Sequence, residues 1–248
     1  MSSEASIEGA DSRDGADPSG ADPSIAVAAA RSPEARSELL RSIREHNQQR
    51  QKLMLEALSL SGVEDGYRFI SKGIPQSQLF MLELIPVLHE LYISEPEGAR
   101  KAILDVGPQN FAGTALLRDL HRDNSFNRLK LDVTALDIVD EFDLFREIIA
   151  PGLEFLHQDI FDINNRAWDT VICSHVIEHV PEPLEFLKQL QTLARDYVMV
   201  ACPWNENPLV TNSHINTIDK SFIVESGARN LKIYTNYCWG KTCEVCMF

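Results

Sequence analysis

The sequence has little positive charge. Its 23 lysines and arginines stand against 37 aspartates and glutamates, which gives a formal net charge of −14 over 248 residues. A general nucleic-acid binder needs a basic surface for the phosphates. The charge balance therefore argues against nucleic acid as a partner and favours a small molecule, while it leaves the oligomeric state open.

Long apolar runs are missing as well. No uninterrupted stretch approaches the roughly 20 apolar residues that a membrane-spanning helix needs, and no basic segment followed by an apolar one opens the chain as a signal peptide would. The five cysteines are an odd number, and two of them, Cys173 and Cys202, lie in apolar runs typical of strands. These features predict a cytoplasmic protein with reduced thiols and no membrane segment.

Aromatic residues are absent from residues 1–31, which consist mainly of serine, alanine, glycine, aspartate and proline. Six acidic residues against two arginines leave this segment with a net charge of −4. Such a composition cannot bury enough apolar surface to offset the entropy that is lost on ordering. We therefore predict a disordered acidic tail over this segment.

Helix signals begin at residues 32–34, where Ser-Pro-Glu combines an N-cap hydroxyl, a proline in the first turn and an acid near the positive end of the helix dipole. Apolar residues then recur at helical spacing, and the polar stretch at 45–51 predicts either solvent exposure or a break. A second helix is predicted over about residues 75–92, with a kink at Pro86. Together these segments predict a helical N-terminal cap over residues 32–98.

From Lys101 onwards, apolar strand-like segments alternate with helical ones, which predicts a second domain over residues 99–248. The helical segments fall around 113–122, 141–149 and 181–194. This order predicts an α/β fold, with a seven-stranded, mainly parallel sheet covered by helices on both faces. The last two strands are joined by the short link WGKT, which predicts an antiparallel C-terminal hairpin. The seven predicted strands are KAILDVG, KLDVTALDI, LEFLHQDI, WDTVICSH, DYVMVACP, LKIYTNYCW and TCEVCMF.

Glycine is missing at a position where a cofactor-binding turn would carry it. The stretch ILDVGPQNFAGT begins like a strand that leads into such a turn, but Gln109 stands where a second glycine is expected. A dinucleotide-binding loop supports the pyrophosphate with the pattern G-x-G-x-x-G, and only Gly107 fits it. The stretch therefore disfavours a dinucleotide-dependent dehydrogenase. If the turn needs a positive φ at Gln109, backbone strain of about 1–3 kcal/mol follows.

Four blocks in chain order, ILDVG, TALDIVD, LHQDIFD and WDTVICSHVIEHVPEPLEFLKQL, resemble the motifs of class I S-adenosylmethionine-dependent methyltransferases of the type 11 and type 23 branches. The block DYVMVACPWNE resembles the fifth strand of that superfamily and the loop after it, and the resemblance covers about residues 70–248. It implies a Rossmann-like fold with S-adenosylmethionine as the cofactor. The implied reaction moves the methyl group to an oxygen or nitrogen of a small-molecule or sugar-linked acceptor.

The resemblance also implies which residues contact the cofactor. These residues lie near strand ends at one edge of a parallel sheet, where such sheets bind ligands. Gly107 lets the backbone approach the cofactor, Asp137 offers two carboxylate oxygens to the ribose hydroxyls, and Asn110 supplies polar contacts in place of the missing glycine. Pro108, Gln109 and Phe111 place side chains where the family has bare backbone. The expected cofactor-binding residues are Asp105, Gly107, Asn110, Asp137, Ile138, Asp159, Ile160, Ser174 and His175.

Two histidines are candidates for catalysis. The stretch SHVIEH places His175, Glu178 and His179 on one face if it is helical. His214 follows the fifth strand, in a loop that should return to the same edge of the sheet. Histidine titrates near neutrality, so either His175 or His214 suits the role of general base for a hydroxyl or an amine.

The same region leaves two other interpretations open. In one, Glu178 and His179 only order the loop. In the other, four side chains bind a divalent metal, similar to the Glu-x-x-Glu-His motif with a distant histidine in small-RNA 2′-O-methyltransferases, although His175 replaces the first acid. Carboxylate and imidazole ligands favour Zn²⁺, Mn²⁺, Fe²⁺ or Co²⁺ over Mg²⁺. We predict no metal and keep this set as the alternative: His175, Glu178, His179 and His214.

Residues after the fifth strand are expected to contact the acceptor. Trp204, Asn205 and Glu206 follow the strand that ends in ACP, in a loop suited to line a substrate pocket. The pair Cys243 and Cys246 is not expected to bind metal, because a tetrahedral site needs four ligands and residues three apart in a strand face opposite sides. A non-catalytic binding protein that keeps the fold but has lost the cofactor through Gln109 remains the alternative function.

Overall fold

The computed structural model of the chain describes most residues from Ser32 onwards. The tail predicted over residues 1–31 and the WGKT link at 239–242 lie outside the described residues. The chain divides into two compact units, of which the first ends at Gln49 and the second begins at Arg50. The described segments are 32–164, 167–206, 213–236 and 243–247.

Helix α1 spans Pro33–Leu60 and begins where the Ser-Pro-Glu signal predicts it. Ser32 caps the helix, since its hydroxyl oxygen accepts a hydrogen bond from the Ala35 amide at 3.1 Å. The polar stretch at 45–51 is exposed, and the helix continues through it. Of the two expectations for this stretch, exposure is confirmed and the break is wrong.

A helical run precedes the sheet in the second unit. Helix α2 (Gly66–Arg68) leads through a π-helical turn (Phe69–Gly73) into helix α3 (Ile74–Leu91), which continues through Pro86. Four apolar residues of α3 are buried in one core cluster with residues of the sheet. The predicted boundary after residue 98 therefore does not separate two cores. The four residues are Met81, Leu84, Ile85 and Leu88.

Seven strands lie within the described residues, namely β1 (Arg100–Val106), β2 (Lys130–Asp137), β3 (Glu154–His157), β4 (Trp168–Ser174), β5 (Ala194–Pro203), β6 (Lys232–Asn236) and β7 (Cys243–Met247). They form one sheet in the order β3-β2-β1-β4-β5-β7-β6. The first five pair in parallel, β1 with β2 and β4, β2 with β3, and β4 with β5. Strand β7 pairs antiparallel with both β5 and β6.

Both faces of the sheet are covered. Alternate residues of a strand point to opposite faces, and the two buried clusters follow that alternation: Ile103 and Ile172 belong to one, whereas Leu104 and Val171 belong to the other. The predicted Rossmann-like α/β fold, a parallel sheet between helices, is confirmed. Among the described helices, none combines the length and apolar character that crossing a bilayer requires. Besides α3, the helices are α4 (Ala112–His121) and α5 (Asp143–Ile149) with the first cluster, and α6 (Pro183–Leu193) and α7 (Lys220–Ser226) with the second.

The strand order creates a crevice at one edge of the sheet. Strand β1 lies between β2 and β4, so the chain turns in opposite directions after β1 and β4. Parallel sheets bind ligands at such a reversal, beyond the carboxyl ends of the strands. The loops that follow β1, β2 and β4 are therefore expected to carry the functional site.

The condition under which SHVIEH would present one helix face is not met. A single 3₁₀ turn covers only Ile177–His179, and His175 precedes it with a φ of 57°. The left-handed backbone at His175 turns the chain away from β4 before the 3₁₀ turn begins. His175 therefore does not share a helix face with Glu178 and His179.

Candidate active site

The loop after β1 has an unusual backbone. Gly107 (φ 72°), Gln109 (φ 50°) and Phe111 (φ 60°) all adopt the left-handed conformation. The positive φ considered for Gln109 is thus present, and in a residue with a side chain it costs about 1–3 kcal/mol. The Phe111 ring is buried and meets the Phe155 ring edge-on, with 5.0 Å between centroids. The expectation that Phe111 places its side chain in the turn is wrong, because the ring packs into the core.

Gly107 is required where two loops touch. A Cβ atom at this position would lie 2.4 Å from Cγ2 of Val176, in the loop after β4. That distance is too short for two carbon atoms, and the positive φ also disfavours any side chain. The turn after β1 and the turn after β4 can therefore approach each other only with glycine at this position.

The same loop is tied to the start of α3. The Asn110 side chain donates to the carbonyl of Gly73 at 3.1 Å and accepts from the amide of Ala112 at 3.0 Å. The amide of Gly113 donates to the Ser77 hydroxyl at 3.0 Å. Asn110 is thus engaged in holding the loop against α3, and it does not line the cavity described next.

A cavity of about 480 Å³ lies at the carboxyl ends of β1, β2 and β4. Helix α3 forms another of its walls with Gln76, Ser77 and Phe80. The loops from three separate strands and one helix therefore converge on a single space. Six of the predicted cofactor residues line it: Asp105, Gly107, Asp137, Ile138, Ser174 and His175.

The remaining predicted residues, all of them described, are not part of this lining. Asp159 is exposed, and its Oδ1 accepts from the Phe161 amide at 3.0 Å, which caps a short 3₁₀ turn. Ile160 is buried in the second core cluster, and Trp204 packs against that cluster. The structure therefore does not bring these side chains to the cavity. The predicted residues outside the lining are Asn110, Asp159, Ile160, Trp204, Asn205 and His214.

Two carboxylates face the cavity from neighbouring strands. Asp105 is buried and accepts a hydrogen bond from the Thr114 hydroxyl at 2.5 Å. Burial, with a smaller contribution from the charge of Asp137, raises the pKa of Asp105 to about 6, although the Thr114 hydrogen bond acts to lower it. Burial also raises the pKa of Asp137, even though the amides of Val139 and Gln109 donate to its carboxylate. Both acids are therefore less readily ionised than they would be in water.

His175 forms part of the cavity wall. Its ring stacks on Phe80 with 3.9 Å between centroids, and its Nδ1 lies 3.5 Å from Oε1 of Glu178. The His175 amide donates to the carbonyl of Ala201 at 2.7 Å, which fixes the turn after β4. The imidazole is therefore held between α3 and Glu178.

A second cluster lies next to His175. One donor atom from each of Glu178, His179 and His214 lies within 4.8 Å of the other two. Nδ1 of His214 lies 2.5 Å from Oε2 of Glu206. The structure thus brings together three of the four residues in the metal hypothesis, without His175. Glu206 belongs to the loop that was expected to line a substrate pocket, but its contact with His214 was not predicted, and its position eight residues before His214 was the only signal for that contact.

The individual residues of the cavity wall on α3 were not singled out, although the segments near 60–95 and 203–220 are expected from the sequence to select the acceptor. Gln76 and Ser77 are polar residues in the first turn of α3, and Phe80 follows on the same side. The pattern of an amphipathic helix shows which residues prefer water, but not which edge of the sheet the helix crosses. The polar residues in the first turn of α3 were therefore the one feature of the sequence that could have indicated this cavity wall.

Comparison with known proteins gives a family match for the region around the cavity. Residues 104–200 match a family model described as "Methyltransferase domain". Among curated proteins, none matches the chain. The N-methyltransferase NodS from Bradyrhizobium japonicum WM9, in complex with S-adenosyl-L-homocysteine, is 10% identical with a TM-score of 0.53, over 79% of this chain and 97% of that chain. The 1,6-didemethyltoxoflavin-N1-methyltransferase of Burkholderia thailandensis, with bound 1,6-didemethyltoxoflavin and S-adenosylhomocysteine, is 15% identical with a TM-score of 0.50, over 87% and 89%.

At these identities the two structures establish the fold alone. The family match runs from within β1 to within β5 and includes the loops after β1, β2 and β4 that line the cavity. Residues 104–200 therefore match the methyltransferase-domain family, and the chain shares the fold of these two methyltransferases.

Proposed function

We propose that the protein is an S-adenosylmethionine-dependent methyltransferase that transfers the methyl group to an oxygen or nitrogen of a small-molecule acceptor. The observation that carries this proposal is the placement of Gly107, Asp137 and His175 around one cavity at the carboxyl ends of β1, β2 and β4. The loops that supply these residues lie within the region that matches the methyltransferase family.

The residues of the cavity fit the parts of the cofactor. Asp137 offers carboxylate oxygens to the ribose hydroxyls. Ile138 is 66% exposed at the cavity, which gives the adenine ring an apolar surface. The turn at residues 107–109 holds the methionine end, as the family resemblance implies. When bound, the cofactor supplies an already activated methyl group, so the protein has mainly to position the acceptor.

His175 is the proposed general base. His175 is part of the cavity lining, and the Glu178 carboxylate, 3.5 Å from its Nδ1, would stabilise the positive charge that a transferred proton brings. The proton of an acceptor hydroxyl or amine can therefore be held on this imidazole. His214 was the other candidate, and we assign the role to His175 because His214 is not part of the cavity lining.

Helix α3 is the proposed acceptor-selecting element. Gln76, Ser77 and Phe80 line the cavity opposite the strand ends, and Phe80 stacks directly on His175. An acceptor beside His175 would therefore also contact Phe80. This assignment replaces Trp204 and Asn205, which lie outside the lining.

Binding of S-adenosylhomocysteine to the purified protein tests the proposal. We expect Asp137→Ala to weaken binding about 10–100-fold, since it removes charge-assisted hydrogen bonds of about 1.5–3 kcal/mol. Asp159→Ala is the matched control, because Asp159 also follows a strand of the sheet but is not part of the cavity lining. Isothermal titration calorimetry on the three proteins measures both effects. Equal losses in the two variants would contradict the assignment of Asp137.

A second function is favoured by one observation. Pro108 and Gln109 line the cavity at the turn where the family has bare backbone, which suits a protein that keeps the fold but binds a different ligand. The same titration separates the two functions. A folded sample that does not bind S-adenosylhomocysteine at millimolar concentration would refute the enzyme and support the non-catalytic binding protein.

A further inference from the structure

We propose that Glu178, His179 and His214 bind a divalent transition-metal ion at the edge of the cavity. Their donor atoms lie within 4.8 Å of one another, and Glu178 and His179 line the cavity. Two ligands that each lie about 2.1 Å from a metal are at most about 4.2 Å apart, so closing on an ion needs shifts of less than about 1 Å. The His179 side chain is exposed and has room for such a shift.

Both imidazoles are already oriented by a hydrogen bond at Nδ1. Nδ1 of His179 lies 2.8 Å from the carbonyl oxygen of Ser213, and Nδ1 of His214 lies 2.5 Å from Oε2 of Glu206. A carbonyl oxygen and a carboxylate oxygen accept hydrogen bonds, so Nδ1 carries a proton in each ring, and in the neutral form of such a ring the lone pair lies on Nε2. An oxygen that holds the outer N–H of the ring is the usual support of a metal-bound histidine.

Glu178 supplies the negative charge. The residue is 1% exposed, and within the described part of the chain neither carboxylate oxygen has a hydrogen-bond donor. Nitrogens of His175 and His179 lie 3.5 and 3.9 Å from Oε1, which is longer than a normal hydrogen bond. A buried carboxylate is costly unless an opposite charge lies against it. A cation between Glu178 and the two histidines supplies that charge.

The backbone holds the two contributing segments together. The amides of Ile215 and Asn216 donate to the carbonyl of Glu178 at 2.9 and 3.2 Å. The Asn216 side chain donates to the carbonyl of Val180 at 2.5 Å. The segment that carries His214 is thus fixed to the turn that carries Glu178 and His179, which pre-organises the three ligands.

One carboxylate and two imidazoles favour Zn²⁺, Mn²⁺, Fe²⁺ or Co²⁺ over Ca²⁺ and Mg²⁺, which prefer oxygen ligands. Three protein ligands also leave coordination positions open for a further ligand. If the proposed methyltransferase function holds, an acceptor hydroxyl in the cavity is the natural occupant, since a metal polarises a bound oxygen. The site therefore favours hydroxyl acceptors over amines.

Metal titration of the full-length protein, stripped with a chelator, tests the site. With Zn²⁺ followed by calorimetry and Co²⁺ by visible absorption, we expect one ion per chain with a Kd of about 10 µM or lower. Glu178→Gln, His179→Ala and His214→Ala should each weaken binding at least about 30-fold, and Glu206→Gln about 10–100-fold, the range for a residue that supports a ligand. Glu185→Gln and His46→Ala, both exposed and outside the cluster, should leave the Kd unchanged.

Three results would overturn the site. The first is wild-type binding weaker than about 1 mM. The second is binding that none of the three ligand variants reduces. The third is an intense near-ultraviolet band with Co²⁺, which indicates thiolate ligands and hence the cysteines. The exposed His179 keeps the test informative if a buried variant fails to fold, because His179→Ala removes no core contact.

Titration of S-adenosylhomocysteine on the same samples separates this inference from the proposed function. A protein that binds S-adenosylhomocysteine but no metal refutes only the metal site. A protein that binds metal but not S-adenosylhomocysteine refutes only the methyltransferase.

Discussion

At the scale of single residues, Asp105 shows how burial changes the pKa of a carboxyl group. Burial raises its pKa to about 6 from the ordinary value of 3.8. The folded protein therefore keeps this proton to a higher pH than the unfolded chain does. By linkage, Asp105 contributes stability that is complete below about pH 3.8 and is lost as the pH rises to about 6.

Replacing Asp105 by asparagine should remove this pH dependence. Between about pH 4 and 6, the free energy of unfolding of the wild type should fall relative to that of Asp105→Asn by up to about 3 kcal/mol. Urea unfolding at a series of pH values measures the difference. Asp162→Asn changes an exposed acid and should run parallel to the wild type. Parallel curves for the wild type and Asp105→Asn would contradict the argument.

Single residues also show which parts of the site could be predicted from the sequence. Gly107 and Asp137 could be predicted to face the cavity, because strand ends in a parallel sheet share one edge. Asn110 and Asp159 could not be excluded from the sequence, since each is a short polar side chain near the same edge. In the structure each accepts a hydrogen bond from the backbone amide two residues ahead, at Ala112 and Phe161. These local hydrogen bonds compete with ligand binding.

At the scale of elements, the contact between the loops after β1 and β4 shapes the cavity. Gly107→Ala should cost about 2–4 kcal/mol of stability, through both the positive φ and the overlap with Val176. Gly152→Ala is a matched control, since Gly152 has a φ of 73° with nothing within 4 Å of a new Cβ, and it should cost only about 1 kcal/mol. Denaturant unfolding compares the two.

Binding completes the comparison of these glycines. Because Gly107 lines the cavity, Gly107→Ala should also weaken binding of S-adenosylhomocysteine, whereas Gly152→Ala should leave it unchanged. Similar stability losses in both variants would mean that the loop after β4 can move away, and that the overlap with Val176 does not define the cavity.

The elements themselves were largely predictable. All five parallel strands lie within their predicted segments or within two residues of them, because a strand buried on both faces is a continuous apolar run. The helix considered for SHVIEH does not form, because the helical spacing of its residues cannot reveal the left-handed turn at His175. Helix α7 was not predicted, although Asp219 gave a usable signal: its Oδ1 accepts from the amides of Ser221 and Phe222 as an N-cap.

At the scale of the whole molecule, the described residues of both core clusters and of the cavity lining belong to the second unit. Among the described residues, both core clusters and the cavity lining start no earlier than Met54. Deletion of residues 1–49 should therefore leave the affinity for S-adenosylhomocysteine within about twofold and the Tm within about 3 °C, which is a change of roughly 1 kcal/mol. Thermal unfolding and calorimetry measure these quantities.

A longer deletion provides the contrast. Removal of residues 1–62 also takes away Ala57 and Leu58, which are buried in the core cluster, and burial of a leucine of this kind is worth about 2–5 kcal/mol. The Tm should then fall well below that of the shorter variant. Loss of S-adenosylhomocysteine binding in the shorter variant would show that residues before Arg50 are needed by the site.

The position of β1 in the sheet determines when the site is completed. Strand β1 lies beside β4, although β2 and β3 come between them in the chain. Parallel neighbours must be joined by crossover connections, and such non-local pairings form slowly during folding. A growing chain that has made only β1, β2 and β3 already holds the turn at Gly107 and the Asp137 carboxylate, but it lacks His175 and Glu178. The cavity is thus closed only when β4 pairs with β1, so the site matures with the folding of the whole sheet.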